Sequence, residues 1–306
     1  MIWIPITLVA SLLQTVRNAA QRSLTGDLSA LGATYTRFLF GFPFALVYAF
    51  LVFAVTGGHM LVPMAAFWAW AAVAAVAQII GTACLLLLFQ LRNFAIGTVL
   101  SKTEILLTAI FGLAFLGDRP TLLAGTAIIS ATIGLVILSH DDKMGSWYAS
   151  LRALWGKPAL YGFGTGTAFA VASTGFRAAS LSLPGLSFVQ SASATLVLAT
   201  LIQSVVMTLY LRWREPGQVA TVLSIWKRSI VPGIAGGAAS ACWFTAMTLE
   251  LAAYVRMLSL LEVVYSYAVS TLKFREKLKA REVFGSVIVT ASILLLLAER
   301  SGLLKF

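Results

Sequence analysis

The sequence predicts an all-α integral membrane protein of ten transmembrane helices, built as two inverted five-helix repeats, and three observations carry that expectation. Of 306 residues, 59% are hydrophobic and 11% charged, with a mean hydropathy of +0.91, whereas a soluble domain carries about 25% charged residues. Polar interruptions divide the chain into ten apolar segments, each near the roughly 20 helical residues that cross a hydrocarbon core of about 30 Å. The chain also superposes on itself at an offset of 158 residues.

In order, the predicted spans are 3–24, 31–55, 65–90, 95–116, 121–138, 158–180, 186–211, 229–249, 253–272 and 282–298. The first, within "MIWIPITLVASLL", has no basic leader or small-residue cleavage site and reads as a retained helix. The tight connections "TGDLSA", "TGGHMLVPM", "LRNF" and "GDRPT" hold the Gly, Pro, Asn and Asp residues that end helices. "SHDDKMGSWYASLRALWGKP" is longer and divides the chain into a first repeat at 1–140, a connecting loop at 141–157 and a second repeat at 158–306. In the other long connection, "VATVLSIW" beside basic residues reads as an amphipathic segment lying on the membrane surface. Runs such as "ACLLLLFQL" lack the period of two that a membrane barrel strand needs.

The offset of 158 places Glu104 on Glu262 and Cys84, the first of two cysteines, on Cys242. It also matches Ser101 with Ser259 and Leu100 with Leu258, and sets Asp118 on Glu276 and Arg119 on Lys277. Matched Leu and Ala come easily in an apolar chain, but matched Cys, Ser and Glu do not. Five helices per repeat is an odd number, so the second repeat enters the membrane inverted. Inverted repeats that rock about a midplane site characterise secondary transporters.

Glu104 and Glu262 each fall tenth in their predicted spans, near mid-bilayer. Helical spacing puts Ser101, Glu104 and Thr108 on one face and Ser259, Glu262 and Ser266 on its counterpart. A carboxylate at the bilayer centre costs about 3 kcal/mol, so both stripes are expected to face inward. Lys102 lies two residues from Glu104, on a different face, and aligns with Leu260, so it has no basic twin. It is expected either to bind an anionic substrate group or to pair with Glu262. Arg17, beside Asn18, lies deep enough to need a buried partner or a wet cavity. Arg37, Arg177 and Arg256 sit near span ends and read as side chains that snorkel to the interface.

Ten helices in a five-plus-five inverted repeat, with "FLGDRPT" closing the fourth span and "KFREKLKARE" following the ninth, resemble the drug/metabolite transporter superfamily of EamA type. Asn18 and Arg37 also fall where such proteins often carry those residue types. The resemblance implies an inner-membrane, multi-pass transporter of small metabolites, an exporter of amino acids or amphipathic compounds. A lipid-translocating or scaffold protein of the same fold is the alternative.

Three uses of the glutamates stay open: proton exchange during a transport cycle, recognition of a cationic substrate group, and a purely structural ion pair. Most tryptophans lie near span boundaries, as an interfacial belt requires. Trp243 and Tyr265 are further candidates to line a pocket. Gly162 with Gly166, and Gly233 with Gly237, are spaced for close helix contact. His59 and His140 fall in loops, and no metal-ligand spacing, nucleophile with a base or phosphate-binding loop occurs. The expectation is a carrier without cofactor or metal, whose partners are a small-molecule substrate and the lipid bilayer, as monomer or homodimer. The net charge of +11 needs no nucleic acid, since anionic headgroups account for basic loops. Loops opposite the termini carry fourteen basic residues against three, which places both termini outside by charge, whereas the family resemblance implies the reverse.

Overall fold

The computed structural model describes residues 1–57, 64–91, 101–139, 157–262 and 280–302. Those residues form α1 (Trp3–Leu24), α2 (Ala30–Thr56), α3 (Ala65–Leu91), α4 (Glu104–Phe111), α5 (Leu122–Ser139), α6 (Lys157–Leu181), α7 (Phe188–Arg214), α8 (Gln218–Ser224), α9 (Trp226–Leu249), α10 (Ala252–Leu258) and α11 (Ala280–Arg300). The described chain is all helical. It has eleven α-helices where ten were expected, because the "VATVLSIW" connection folds as the seven-residue α8, too short to cross a bilayer.

Among the described residues, five helices are long and apolar enough to span a membrane: Ala30–Thr56, Ala65–Leu91, Phe188–Arg214, Trp226–Leu249 and Arg281–Arg300. Glu104–Leu116 and Leu122–Leu138 are shorter apolar helices. α1 has 22 residues, but Gln14, Arg17, Asn18 and Gln21 dilute its apolar character. Large apolar side chains such as Val47, Phe50, Leu51, Val55 and Leu122 are more than half exposed on the outside of the bundle. A lipid-facing surface has that composition, and water would penalise it.

Local chemistry sets the helix ends. The Ser29 side chain accepts from Gly32 N at 3.0 Å to cap α2, and Ser187 with Gln190 forms a capping box at the start of α7. Gly117, at φ 68°, follows a π-helical turn at Gly112–Leu116 and supplies the left-handed residue that ends it.

Inside the bundle α3 runs against α6 and α1 against α9, while α5 packs on α11. α2 contacts both α7 and α9, and α4 contacts α6 and α10. Small residues permit these approaches: Ala71, Ala74 and Ala75 on α3 are fully buried. Gly233 and Gly237 face α2, where an added Cβ would lie 2.3 Å from Phe40 Cβ or 2.6 Å from the Phe44 ring.

The predicted spans 95–116 and 253–272 are corrected on their described parts. Neither is one unbroken helix. Lys102 and Thr103 form a turn before α4, and Ser259 and Leu260 form a turn after α10.

Candidate functional site

The two helix breaks organise the site. Ile105 N–H donates to Lys102 O at 3.2 Å, and on the other break Leu260 N–H donates to Met257 O at 3.0 Å and Glu262 N–H to Ser259 O at 3.1 Å. All three bonds reach back three residues and tighten the turn, a geometry that often marks functional positions. The Ser259 hydroxyl donates to the Arg256 carbonyl at 2.6 Å and so competes with the helical pattern. Gly166 on α6 makes room for the first break, since a Cβ there would lie 2.2 Å from Thr103 Oγ1 and 3.0 Å from Glu104 N.

Two ion pairs cross between the breaks. Lys102 Nζ lies 3.1 Å from Glu262 Oε2, and Arg256 Nε lies 2.6 Å from Glu104 Oε1. Each broken segment therefore gives one cation and one carboxylate to the other. Thr15 of α1 donates to Glu262 Oε1 at 3.0 Å, and Ser173 of α6 accepts from Arg256 Nε at 3.0 Å, its single proton shared between Phe169 O at 2.7 Å and Glu104 Oε1 at 3.3 Å. The Arg256 guanidinium stands 4.5 Å from the Trp243 ring centroid, a cation–π contact, and Trp243 Nε1 donates to Gln14 Oε1 at 3.1 Å.

Arg17 and Arg37 are bound differently. Arg17 donates through Nε and Nη2 to Asn18 Oδ1, at 3.1 and 2.5 Å. Arg37 donates to Thr82 Oγ1 at 3.0 Å and to Ser240 Oγ at 3.2 Å. All three acceptor side chains are neutral. The six charged residues are 2% to 8% exposed. Four cations and two carboxylates leave a formal surplus of two positive charges among the described residues of this centre.

A cavity adjoins these groups, lined by Gln14, Arg17, Asn18, Arg37, Gln78, Leu85, Ser101, Lys102, Glu104, Phe169, Trp243 and Arg256. About 20 Å³ is open to the centres of water molecules, room for roughly one water. Among the described residues no group of three His, Cys, Asp or Glu comes together, so no metal-ligand set is formed by them.

Of the predicted site residues, Glu104, Lys102, Ser101, Trp243, Asn18 and Arg17 line the cavity, and Glu262 adjoins it through Lys102. Thr108 is buried, its hydroxyl donates to Glu104 O at 2.7 Å within its own helix, and it does not line this cavity. Ser259 is likewise buried against its own backbone. The break at 102–103 removes the regular spacing that put Ser101 and Thr108 on one face. Tyr265 and Ser266 lie outside the described residues.

Two of the three basic residues read as interfacial are not. Arg37 and Arg256 are buried in the centre. Arg177 pairs with Asp118, Nε to Oδ2 at 3.1 Å and Nη2 to Oδ1 at 3.3 Å, and also donates to Glu250 O at 2.7 Å and Met247 O at 2.5 Å. Their closeness to predicted span ends concealed them. Gln14 and Gln78, amides inside apolar runs, were a signal that went unused.

No family model matches the chain, and no curated protein matches it. Twenty-eight chains of solved structures match. One, a crystal structure of a protein, is 17% identical with a TM-score of 0.67, over 97% of this chain and 98% of that one. At that identity the likeness shows a shared fold.

Proposed function

We infer that the chain is a secondary transporter of small metabolites, working by alternating access between two inverted five-helix repeats. The observation that carries this reading is the pair of reciprocal salt bridges between two broken helices, beside a buried polar cavity. The backbone at both turns stays in the right-handed helical region and only tightens, at Thr103 (φ −56°, ψ −18°) and Ser259 (φ −62°, ψ −15°), and transporters place their sites near the midplane at the repeat interface.

The packing supports the repeat as well. If α1 to α5 correspond to α6, α7, α9, α10 and α11, exchanging the halves turns the α1–α9 contact into the α6–α3 contact and maps the α4–α10 and α5–α11 contacts onto themselves. Ten crossings, with α8 on the surface, then follow. On this reading the protein has the drug/metabolite transporter architecture in the cytoplasmic membrane, with the termini outside by the excess of basic loops, the reverse of the orientation that the family resemblance implies.

On the side of the termini, Arg177 clasps Asp118 and the last carbonyls of α9, and Arg300 binds Glu250. These contacts tie the ends of α4, α6, α9 and α11 and would have to open for release on that side. Arg177→Gln is expected to speed amide hydrogen exchange across Thr245–Leu258 by about tenfold or more, since each bond to a charged group contributes about 1.5–3 kcal/mol. Unchanged exchange there would remove the clasp from the mechanism.

A metabolite screen in reconstituted vesicles, with and without a pH gradient, tests the transport reading. Glu104→Gln and Glu262→Gln are expected to lower flux and flatten its pH dependence if the carboxylates exchange protons. Full pH-dependent flux in both variants would exclude them as proton carriers.

A further inference from the structure

Resting on the transporter reading, we propose that the cargo is a small organic dianion, held through its anionic oxygens by Arg17 and Arg37. The charge ledger of the centre points to it. Glu104 and Glu262 are engaged by Arg256 and Lys102 at 2.6 and 3.1 Å, whereas Arg17 and Arg37 bond only neutral oxygens and have no carboxylate within 4.0 Å among the described residues. Two guanidinium groups 2% and 3% exposed hold their charge at a desolvation cost that hydroxyls and one amide offset only in part. A ligand bringing two negative charges neutralises the surplus.

The two arginines are placed to act together. Their stems pack side by side over Gly236, where a Cβ would lie 2.8 Å from Arg37 Cγ and 3.2 Å from Arg17 Cδ. Both groups line the same cavity. Each guanidinium has five N–H donors in a planar fork, and the bonds to Asn18, Thr82 and Ser240 use two on each residue. The rest suit carboxylate or phosphate oxygens, which arginine binds in bidentate fashion. Gln14, Asn18 and Gln78 add amides for the uncharged part of the molecule.

A cation would enlarge the surplus, and a zwitterion would leave it unchanged. The present space admits about one water, so the dianion enters when the halves part and its charge then draws the arginines around it.

The test uses the purified full chain in neutral detergent at constant ionic strength. Radiolabelled succinate is the probe, with glycerol phosphate, glutamine and putrescine as competitors. Saturable succinate binding, displaced by glycerol phosphate and not by glutamine or putrescine, is the expected result. Arg37→Gln is expected to weaken binding at least tenfold and Arg37→Lys less, while Arg228→Gln, which removes an exposed ion pair with Asp27, leaves it unchanged. No succinate binding above salt-matched background to the wild-type chain overturns the proposal, whether or not any variant folds; so does displacement by putrescine as effective as by glycerol phosphate. Binding without flux in vesicles supports the dianion site and removes the transport reading. Flux of a neutral or cationic metabolite with no dianion binding does the opposite.

Discussion

Arg256→Gln is expected to destabilise the protein by about 3–5 kcal/mol, because it leaves Glu104 buried without its cation. The Ser173 hydroxyl stays within 3.3 Å of Glu104 Oε1, but a neutral donor replaces little of a guanidinium at 2.6 Å. The Trp243 ring loses its cationic neighbour in the same step. Combining Arg256→Gln with Glu104→Gln should recover most of the loss, since two amides carry no buried charge. Thermal unfolding of the single and double variants in detergent measures the coupling as a double-mutant cycle. Additive losses would mean that the two side chains do not depend on one another.

Lys102→Met is the second large effect, about 3 kcal/mol at least, with a sharper functional consequence. Glu262 keeps the Thr15 hydroxyl at 3.0 Å but loses the ammonium that joins it to the other broken helix. The variant should fold at reduced melting temperature and lose nearly all flux, while Lys102→Met with Glu262→Gln regains stability without regaining full flux. Measuring melting temperature and vesicle flux on the same preparations separates the two roles. If the double variant transports at the wild-type rate, the ion pair is purely structural.

Much of the scaffold was legible because spanning length and polar punctuation are strong signals. The predicted bounds of α1, α2, α3, α5, α6, α7, α9 and α11 fall within about three residues of those observed. Gly233 and Gly237 were legible as contact positions from their spacing of four, and the structure places them where nothing larger fits beside Phe40 and Phe44. The breaks at 102–103 and 259–260 were not. Neither contains Gly or Pro, and a Thr or Ser in an apolar run is ordinary helical sequence.

The centre was half legible for a related reason. Glu104, Glu262 and Lys102 stood out as charges deep inside spans, and Lys102 does pair with Glu262. Arg37 and Arg256 have the same chemistry but lie nearer span ends, where linear distance to the interface invites a snorkelling assignment. Tertiary packing reverses that assignment: α9 supplies Gly236 beneath Arg37, and α6 supplies Ser173 beside Arg256.

Solute flux in vesicles of purified protein tests the transporter account most directly. Saturable uptake of a small metabolite, above protein-free vesicles and lost in Lys102→Met, is the predicted result. Scrambling of labelled lipid, with no saturable flux of any water-soluble metabolite, would contradict it.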